Sequence, residues 1–138
     1  MRKRTTYQLQ KTPTDTILLL HGMMLMSDFR TDAEAALLDA FLRTLPEFRL
    51  EDIDELKGTV ARLRDDYPGA KESIAALARM SSDVIKKKTF VLALDIAMSS
   101  GAIDETEDEL LEELRRVLDI DLGTAETILD VLSLKYAS

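Results

Sequence analysis

The chain of 138 residues contains no cysteine and only one histidine, His21. The absence of cysteine excludes disulfides, thiolate zinc sites and cysteine nucleophiles. A single histidine cannot form a multi-histidine metal site within one chain. No long stretch alternates between apolar and polar residues with the period of two that half-buried strands show. We therefore predict an all-α fold without thiol chemistry.

Two further absences restrict the partners and the location. The net charge of −8 argues against nucleic acid and anionic lipid and permits cationic partners or hard cations. The only internal basic run, Lys86 to Lys88, has no interleaved aromatic residues, so we expect no nucleic-acid partner. The longest strongly apolar run, Ile17 to Met26, is about half a membrane span, so we expect no integral membrane protein. The basic N-terminal arm, residues 1–11, lacks the apolar core of a secretory signal, which predicts a soluble, cytoplasmic protein.

Capping signals and apolar periodicity predict about seven helices in one domain, residues 12–138. Thr12 to Asp15 is a helix start with a cap, a proline at the first helical position and an acid near the positive end of the dipole. Thr31 to Glu34 and Asp104 to Glu107 are capping boxes. Further helices are predicted over about 51–66 and 70–80, from Ser81 or Ser82 to Met98, and after a cap at Thr124. The last should turn Ile128, Val131 and Leu132 inward.

An offset of 73 residues relates two stretches of the chain. Thr31 then matches Asp104, and Glu34 matches Glu107. Each unit consists of an apolar helix, a short turn, a cap, a glutamate and an amphipathic helix. The pattern predicts two pseudo-repeated helix-turn-helix units about an approximate two-fold axis, with both apolar helices at the centre.

The doubled unit resembles the tellurite-resistance TerB-like family, over about residues 18–128. Six positions of the second unit carry most of the likeness: Gly101, Ile103, Glu107, Leu110, Leu111 and Leu118. The resemblance implies an all-helical bacterial stress-associated domain, generally without demonstrated enzymatic activity, in which acidic residues of the motif have been suspected of holding a metal. The chain departs from the family pattern where Ser27 and Ser100 replace an aspartate and where Asp28 replaces a glycine.

Four carboxylates are candidate ligands of a divalent cation: Glu34, Asp95, Asp104 and Glu107. Glu34 and Glu107 each begin an apolar stripe in the same register, so both can point inward, and Asp28 is a further nearby acid. Carboxylate oxygens suit Ca²⁺ or Mg²⁺. The alternative is that each glutamate closes its own capping box, which explains the spacing fully. No other cofactor is expected.

Two polar residues lie within the apolar helices. A carboxylate such as Asp95 is costly to bury without a partner. It is expected either to pair with an arginine or to lie on the one solvent-exposed edge of its helix. His21 is either a ligand or general base, or a satisfied core residue, and the core role is the commoner one. Gly22 beside it is expected to permit close helix packing.

Three functions follow from these patterns. The first is a non-enzymatic TerB-like interaction domain that acts in a bacterial chemical-stress response through protein partners, with the oligomeric state, a homo-oligomer included, left open. The second is a metal-binding or sensing domain that uses acids of the paired turns. The third, an enzyme based on a carboxylate pair, ranks last because the sequence shows no pocket signature.

Overall fold

A computed structural model describes residues 13–27 and 32–138, and every regular element in these ranges is an α-helix. The seven helices are α1 (Pro13–Ser27), α2 (Asp32–Thr44), α3 (Ile53–Asp66), α4 (Ala70–Leu77), α5 (Asp83–Met98), α6 (Glu105–Val117) and α7 (Leu122–Lys135). The predicted all-α fold is confirmed. The arm of residues 1–11, the predicted caps Thr12 and Thr31, and Asp28 lie outside the described residues. None of the described helices has the length and apolar character needed to cross a bilayer.

Helices α1 and α5 form the centre of the domain, as the two apolar stretches predict. They pack against each other more extensively than any other pair of helices. Every residue of α1 from Leu18 to Ser27 is buried, and so is α5 from Leu92 to Ala97. A helix that is apolar on all sides is stable in water only when other helices surround it.

Gly22 lies where the two central helices approach each other closely, as expected. A Cβ atom at this position would be 2.2 Å from Cγ2 of Thr89 on α5. Thr89 is itself fully buried and donates its hydroxyl to the carbonyl of Ile85 at 2.7 Å. The missing side chain therefore lets α1 and α5 pack backbone against side chain at mid-length.

Asp15 links the start of α1 to the segment before α5. Its carboxylate, 1% exposed, accepts hydrogen bonds from the backbone N–H and the hydroxyl of Ser81, at 2.9 and 2.8 Å. The sequence predicted only a favourable charge near the helix dipole. The burial shows a tertiary role as well, and with the Gly22–Thr89 contact it shows that α1 and α5 run parallel.

The outer helices bury the stripes that the sequence predicts, with exceptions at α4 and α7. On α6 the predicted inward set is buried: Glu107, Leu110, Leu111, Leu114 and Leu118. Helix α4 ends at Leu77, three residues earlier than the predicted end at residue 80. Helix α7 is capped by Asp121, whose carboxylate accepts from the Thr124 N–H at 2.7 Å, so the prediction of Thr124 as the cap is wrong.

Val131, predicted inward on α7, is 60% exposed, whereas Leu132 is buried. Apolar residues occupy several faces of α7, so periodicity alone does not define one inner face. Helix α7 packs mainly on α5, and that single contact decides which of its faces is covered.

Candidate functional site

A short turn connects the end of α5 to the capped start of α6. Gly101 has a φ of +88°, a left-handed conformation that glycine adopts without a Cβ penalty. The Ser100 hydroxyl donates to the carbonyls of Ala97 and Ala102, at 3.1 and 3.0 Å. Ser27, at the matching end of α1, donates its hydroxyl to the Met24 carbonyl at 2.9 Å. Ser27 and Ser100 thus both hydrogen-bond to backbone carbonyls near the ends of their helices.

Asp104 and Glu107 form the capping box that the sequence predicts at the start of α6. The Asp104 carboxylate accepts from the Glu107 N–H at 2.8 Å, and the Glu107 Oε1 atom accepts from the Asp104 N–H at 3.3 Å. Because these bonds satisfy donors that a helix start leaves open, they stabilise α6. The capping interpretation of Glu107 is confirmed.

The second carboxylate oxygen of Glu107 has a different environment. The residue is 5% exposed, and its Oε2 atom is buried without a hydrogen bond. Burial raises the pKa of Glu107 above its ordinary value; the Asp104 N–H bond opposes this, and the charges of Asp104 and Glu34 add to it. Glu34, 1% exposed, is therefore close enough to interact with Glu107 electrostatically. The structure brings the two sequence-predicted glutamates together at the interior while one of them also caps its helix.

Asp95 belongs to a different cluster from Glu34 and Glu107. Its two carboxylate oxygens accept hydrogen bonds from Lys135 Nζ at 2.9 and 2.8 Å, and the Tyr136 hydroxyl donates to Oδ1. The Lys135 ammonium also lies 5.0 Å from the centroid of the Tyr136 ring. The buried aspartate pairs with a lysine, where the sequence suggested an arginine or a wet edge. The cluster attaches the end of α7 to α5.

Both partners of Asp95 titrate at higher pH than usual. Burial opposes the charge of Lys135, but hydrogen bonds to Asp95 and Tyr136 outweigh it and raise the pKa of the lysine. Burial and the hydrogen bond to Asp95 raise the pKa of Tyr136. Lys135 therefore keeps its charge, and Tyr136 its proton, to a higher pH than an unperturbed lysine or tyrosine would.

The four predicted ligands do not form one site. In the ranges 13–27 and 32–138, no group of three or more His, Asp or Glu side chains is arranged to hold a metal ion. Glu34 and Glu107 remain as a pair. Two carboxylates fit a small cation that keeps several water ligands, as Mg²⁺ does, better than Ca²⁺ with its six to eight oxygens.

His21 lies in the core in the way expected of a structural histidine. It is 3% exposed, its Nε2 atom is 2.9 Å from the Ser73 hydroxyl, and its ring centroid is 4.7 Å from that of Tyr67. The neighbouring methionines Met23 and Met24 are also buried. These contacts join α1 to the α3–α4 region.

Sequence reasoning missed two surface clefts. The α2–α3 cleft, about 340 Å³, is lined by Ser27, by Ala35, Leu38, Asp39 and Leu42 of α2, and by Lys57, Val60, Ala61 and Arg64 of α3. The α6–α7 groove, about 310 Å³, has α6 and α7 as walls and Phe90 and Leu94 of α5 as its floor. In each cleft the wall residues of one helix recur at positions i, i+3, i+4 and i+7, a spacing that is visible in the sequence. The sequence does not show which outer helices face each other, and this information is needed to predict the clefts.

Comparison with known families agrees with these features. A sequence model described as tellurite resistance protein TerB matches residues 14–128, more than half of the chain. The chain belongs to the TerB family. This confirms the resemblance drawn from the doubled capping motif. No curated protein and no solved structure matches the chain.

Proposed function

We propose that this TerB-family domain is a non-enzymatic interaction domain that acts in a bacterial chemical-stress response through protein partners. The observation that carries the proposal is the surface of α7. Among the described residues the exposed large apolar side chains are Ile17, Leu50 and Val84 elsewhere, and Leu122, Leu129, Val131 and Leu134 on α7. Exposed apolar patches are typical of interaction surfaces, and α7 carries two pairs of such side chains on different faces, Leu122 with Leu129 and Val131 with Leu134. On α7 the exposed fractions reach 60% at Val131 and 78% at Leu134.

The interior titratable groups support a binding role over a catalytic one. His21 contacts Ser73 in the core, and Asp95 is engaged by Lys135 and Tyr136. Glu107 holds the cap of α6 through its Oε1 atom. A catalytic acid or base needs access to a substrate, whereas these three groups are buried and joined to other parts of the fold.

Site-specific photo-crosslinking in bacterial cells tests the proposal. A photoreactive amino acid at Val131 or Leu134 should crosslink to the same protein in repeated experiments under tellurite challenge. The matched control is Leu50, 89% exposed and outside α7. In a strain lacking the gene, V131D/L134D should fail to restore tellurite survival, whereas L50D should restore it. Equal crosslinking from Leu50, or full survival with V131D/L134D, would contradict the proposal.

A second candidate function, binding of a divalent cation by Glu34 and Glu107, has its own supporting observation. The buried Oε2 atom of Glu107 makes no hydrogen bond, and a neighbouring carboxylate raises the pKa of the residue. A cation between the two carboxylates would relieve their repulsion. Only these side chains would hold the ion; water would supply the other ligands.

Calorimetric titration with Mg²⁺, Mn²⁺, Ca²⁺ and Zn²⁺ discriminates this candidate. The substitution E107Q keeps an oxygen acceptor for the capping box and removes the charge. The wild-type chain should give saturable heat and a higher melting temperature with ion, and E107Q should give neither. E109Q, at an exposed position of the same helix, is the control. Absence of heat and of any shift in the wild-type chain rules the function out.

A further inference from the structure

The α6–α7 groove is an open trough whose floor is a third helix. Helices α6 and α7 each pack on α5 but make little contact with each other. The buried side chains of Phe90 and Leu94 of α5 line the base of the space between them, and its volume is about 310 Å³. When two helices pack on a common third helix without contacting each other, the space between them can accommodate an additional helix, as in helical bundles.

The α7 wall of the groove is mostly apolar and largely exposed. It consists of Leu122, Ala125, Glu126 and Leu129, which follow one face of the helix. Leu122 is 59% exposed and Leu129 is 43% exposed. Two leucines that are seven residues apart form contact points over two turns, which matches the spacing of anchor residues on a helical ligand.

The charges at the rim are acidic. Asp108 on α6 and Glu126 on α7 are exposed carboxylates on opposite walls. The one cation of the groove, Arg115, donates to both carboxylate oxygens of Glu112 at 2.9 and 2.6 Å and to the Ile120 carbonyl at 2.7 Å. The bidentate pair neutralises Arg115 within α6, so the rim presents net negative charge to a ligand.

We propose that the α6–α7 groove binds a cationic amphipathic helix of a partner protein. Its apolar face would cover Leu122 and Leu129, and lysine or arginine side chains on its flanks would reach Asp108 and Glu126. This inference rests on the proposed function, action through protein partners, and adds the surface and the chemistry of the partner. The groove combines apolar floor and acidic rim, and such complementarity selects a basic helix over an acidic one.

The test uses a synthetic helical peptide of leucine and lysine, about 14 residues or roughly four turns long, and the same peptide with glutamate in place of lysine. Each is titrated into the ¹⁵N-labelled full chain. The lysine peptide should bind saturably and shift the amide signals of α6, α7 and the α5 floor. L129D and E126K should each weaken binding by about tenfold or more, equivalent to about 1.4 kcal/mol. The controls L50D and E109K, which change exposed residues outside the groove, should leave the affinity unchanged.

Several outcomes would overturn the groove assignment. These are signal shifts spread over the whole acidic surface, shifts confined to the α2–α3 cleft, equal binding of the glutamate peptide, or unchanged affinity in L129D. Concentration-dependent shifts in the same groove without peptide would assign it to a second copy of the chain instead. Folding of each variant is checked by its melting temperature. Val131 and Leu134, the positions of the crosslinking experiment, lie outside the groove. The proposed function can therefore be supported even if this inference fails.

Discussion

The α2–α3 cleft and the α6–α7 groove occupy matching positions in the two halves of the chain but differ in chemistry. The lining residues of α2 precede those of α6 by the same offset of 73 residues that the sequence pattern shows, from Ala35 and Asp108 onward. The α3 wall precedes the α7 wall by 65 residues, so that Lys57 matches Leu122 and Arg64 matches Leu129. The correspondence therefore extends to a third helix in each half, while the two-fold arrangement stays a prediction.

The clefts differ in two side chains of the α3 and α7 walls, where Lys57 and Arg64 match Leu122 and Leu129. Lys57 in the first cleft approaches Asp39 of the facing helix, at 3.5 Å between Nζ and Oδ1, and α2 contacts α3. Leucines take the matching positions of the second cleft and have no such partner across it. Helical register decides where a cleft forms, and the residues at its wall positions decide whether a charged pair spans it or its wall is apolar.

The largest expected effect is a loss of stability that distinguishes core residues of the second half from residues of the α6–α7 groove. Leu114 is fully buried on α6, whereas Leu129 on the groove wall is 43% exposed. L114A should lower the free energy of unfolding by about 2–5 kcal/mol, because it leaves a cavity. L129A should lower it by no more than about 0.5 kcal/mol. Urea denaturation measures both, and equal losses would show that the groove wall belongs to the core.

The next effect concerns the contact that joins the halves. G22A should destabilise the chain by about 1–2 kcal/mol, because the new Cβ would lie 2.2 Å from Thr89 Cγ2 and overpacking outweighs the gain in helix propensity. G58A is the matched control inside the first half, where the nearest atom, on Arg62, is 3.7 Å away. It should stabilise by about 0.5–1 kcal/mol. Equal melting temperatures of the two variants would contradict close packing at Gly22.

A smaller effect tests the tie between α7 and α5, which the groove depends on. Y136F should lower the free energy of unfolding by about 0.5–1.5 kcal/mol through loss of one hydrogen bond to Asp95. The raised pKa values of Tyr136 and Lys135 mean that their contribution is complete below the unfolded-state values near pH 10 and is lost as pH rises through the folded-state values. The difference between wild type and Y136F should therefore narrow in strong alkali, as pH-dependent unfolding curves will show.

The smallest expected effect is the pH dependence at Glu107. Its folded-state pKa lies above the unfolded value, so the fold is favoured at low pH and loses this contribution as pH rises through the folded pKa. E107Q removes the ionisation and keeps the cap. Without metal, E107Q should gain stability relative to wild type between about pH 4 and pH 7. A constant difference in the free energy of unfolding across this pH range would show that neither burial nor Glu34 raises the pKa of Glu107.

Local signals were predicted well because both partners lie within a few residues. The Asp104–Glu107 capping box and the Ser82 cap of α5 are examples. Long-range pairs were not predictable in this way. Asp95 and Lys135 are 40 residues apart, and Asp15 and Ser81 are 66 apart, so their pairing depends on how the helices pack. The same limit explains the error at Val131, since the inner face of α7 is set by α5.

By itself, the sequence determined that this protein is helical, that its two most apolar helices are central and that Glu107 caps α6. These properties depend on hydrophobic periodicity and on hydrogen bonds between near neighbours. Only the tertiary structure decided that Glu34 lies near Glu107, that Lys135 pairs with Asp95, and that α6 and α7 leave a groove with an apolar floor and an acidic rim. Each of these depends on the relative positions of helices distant in sequence, which the packing of the whole core sets.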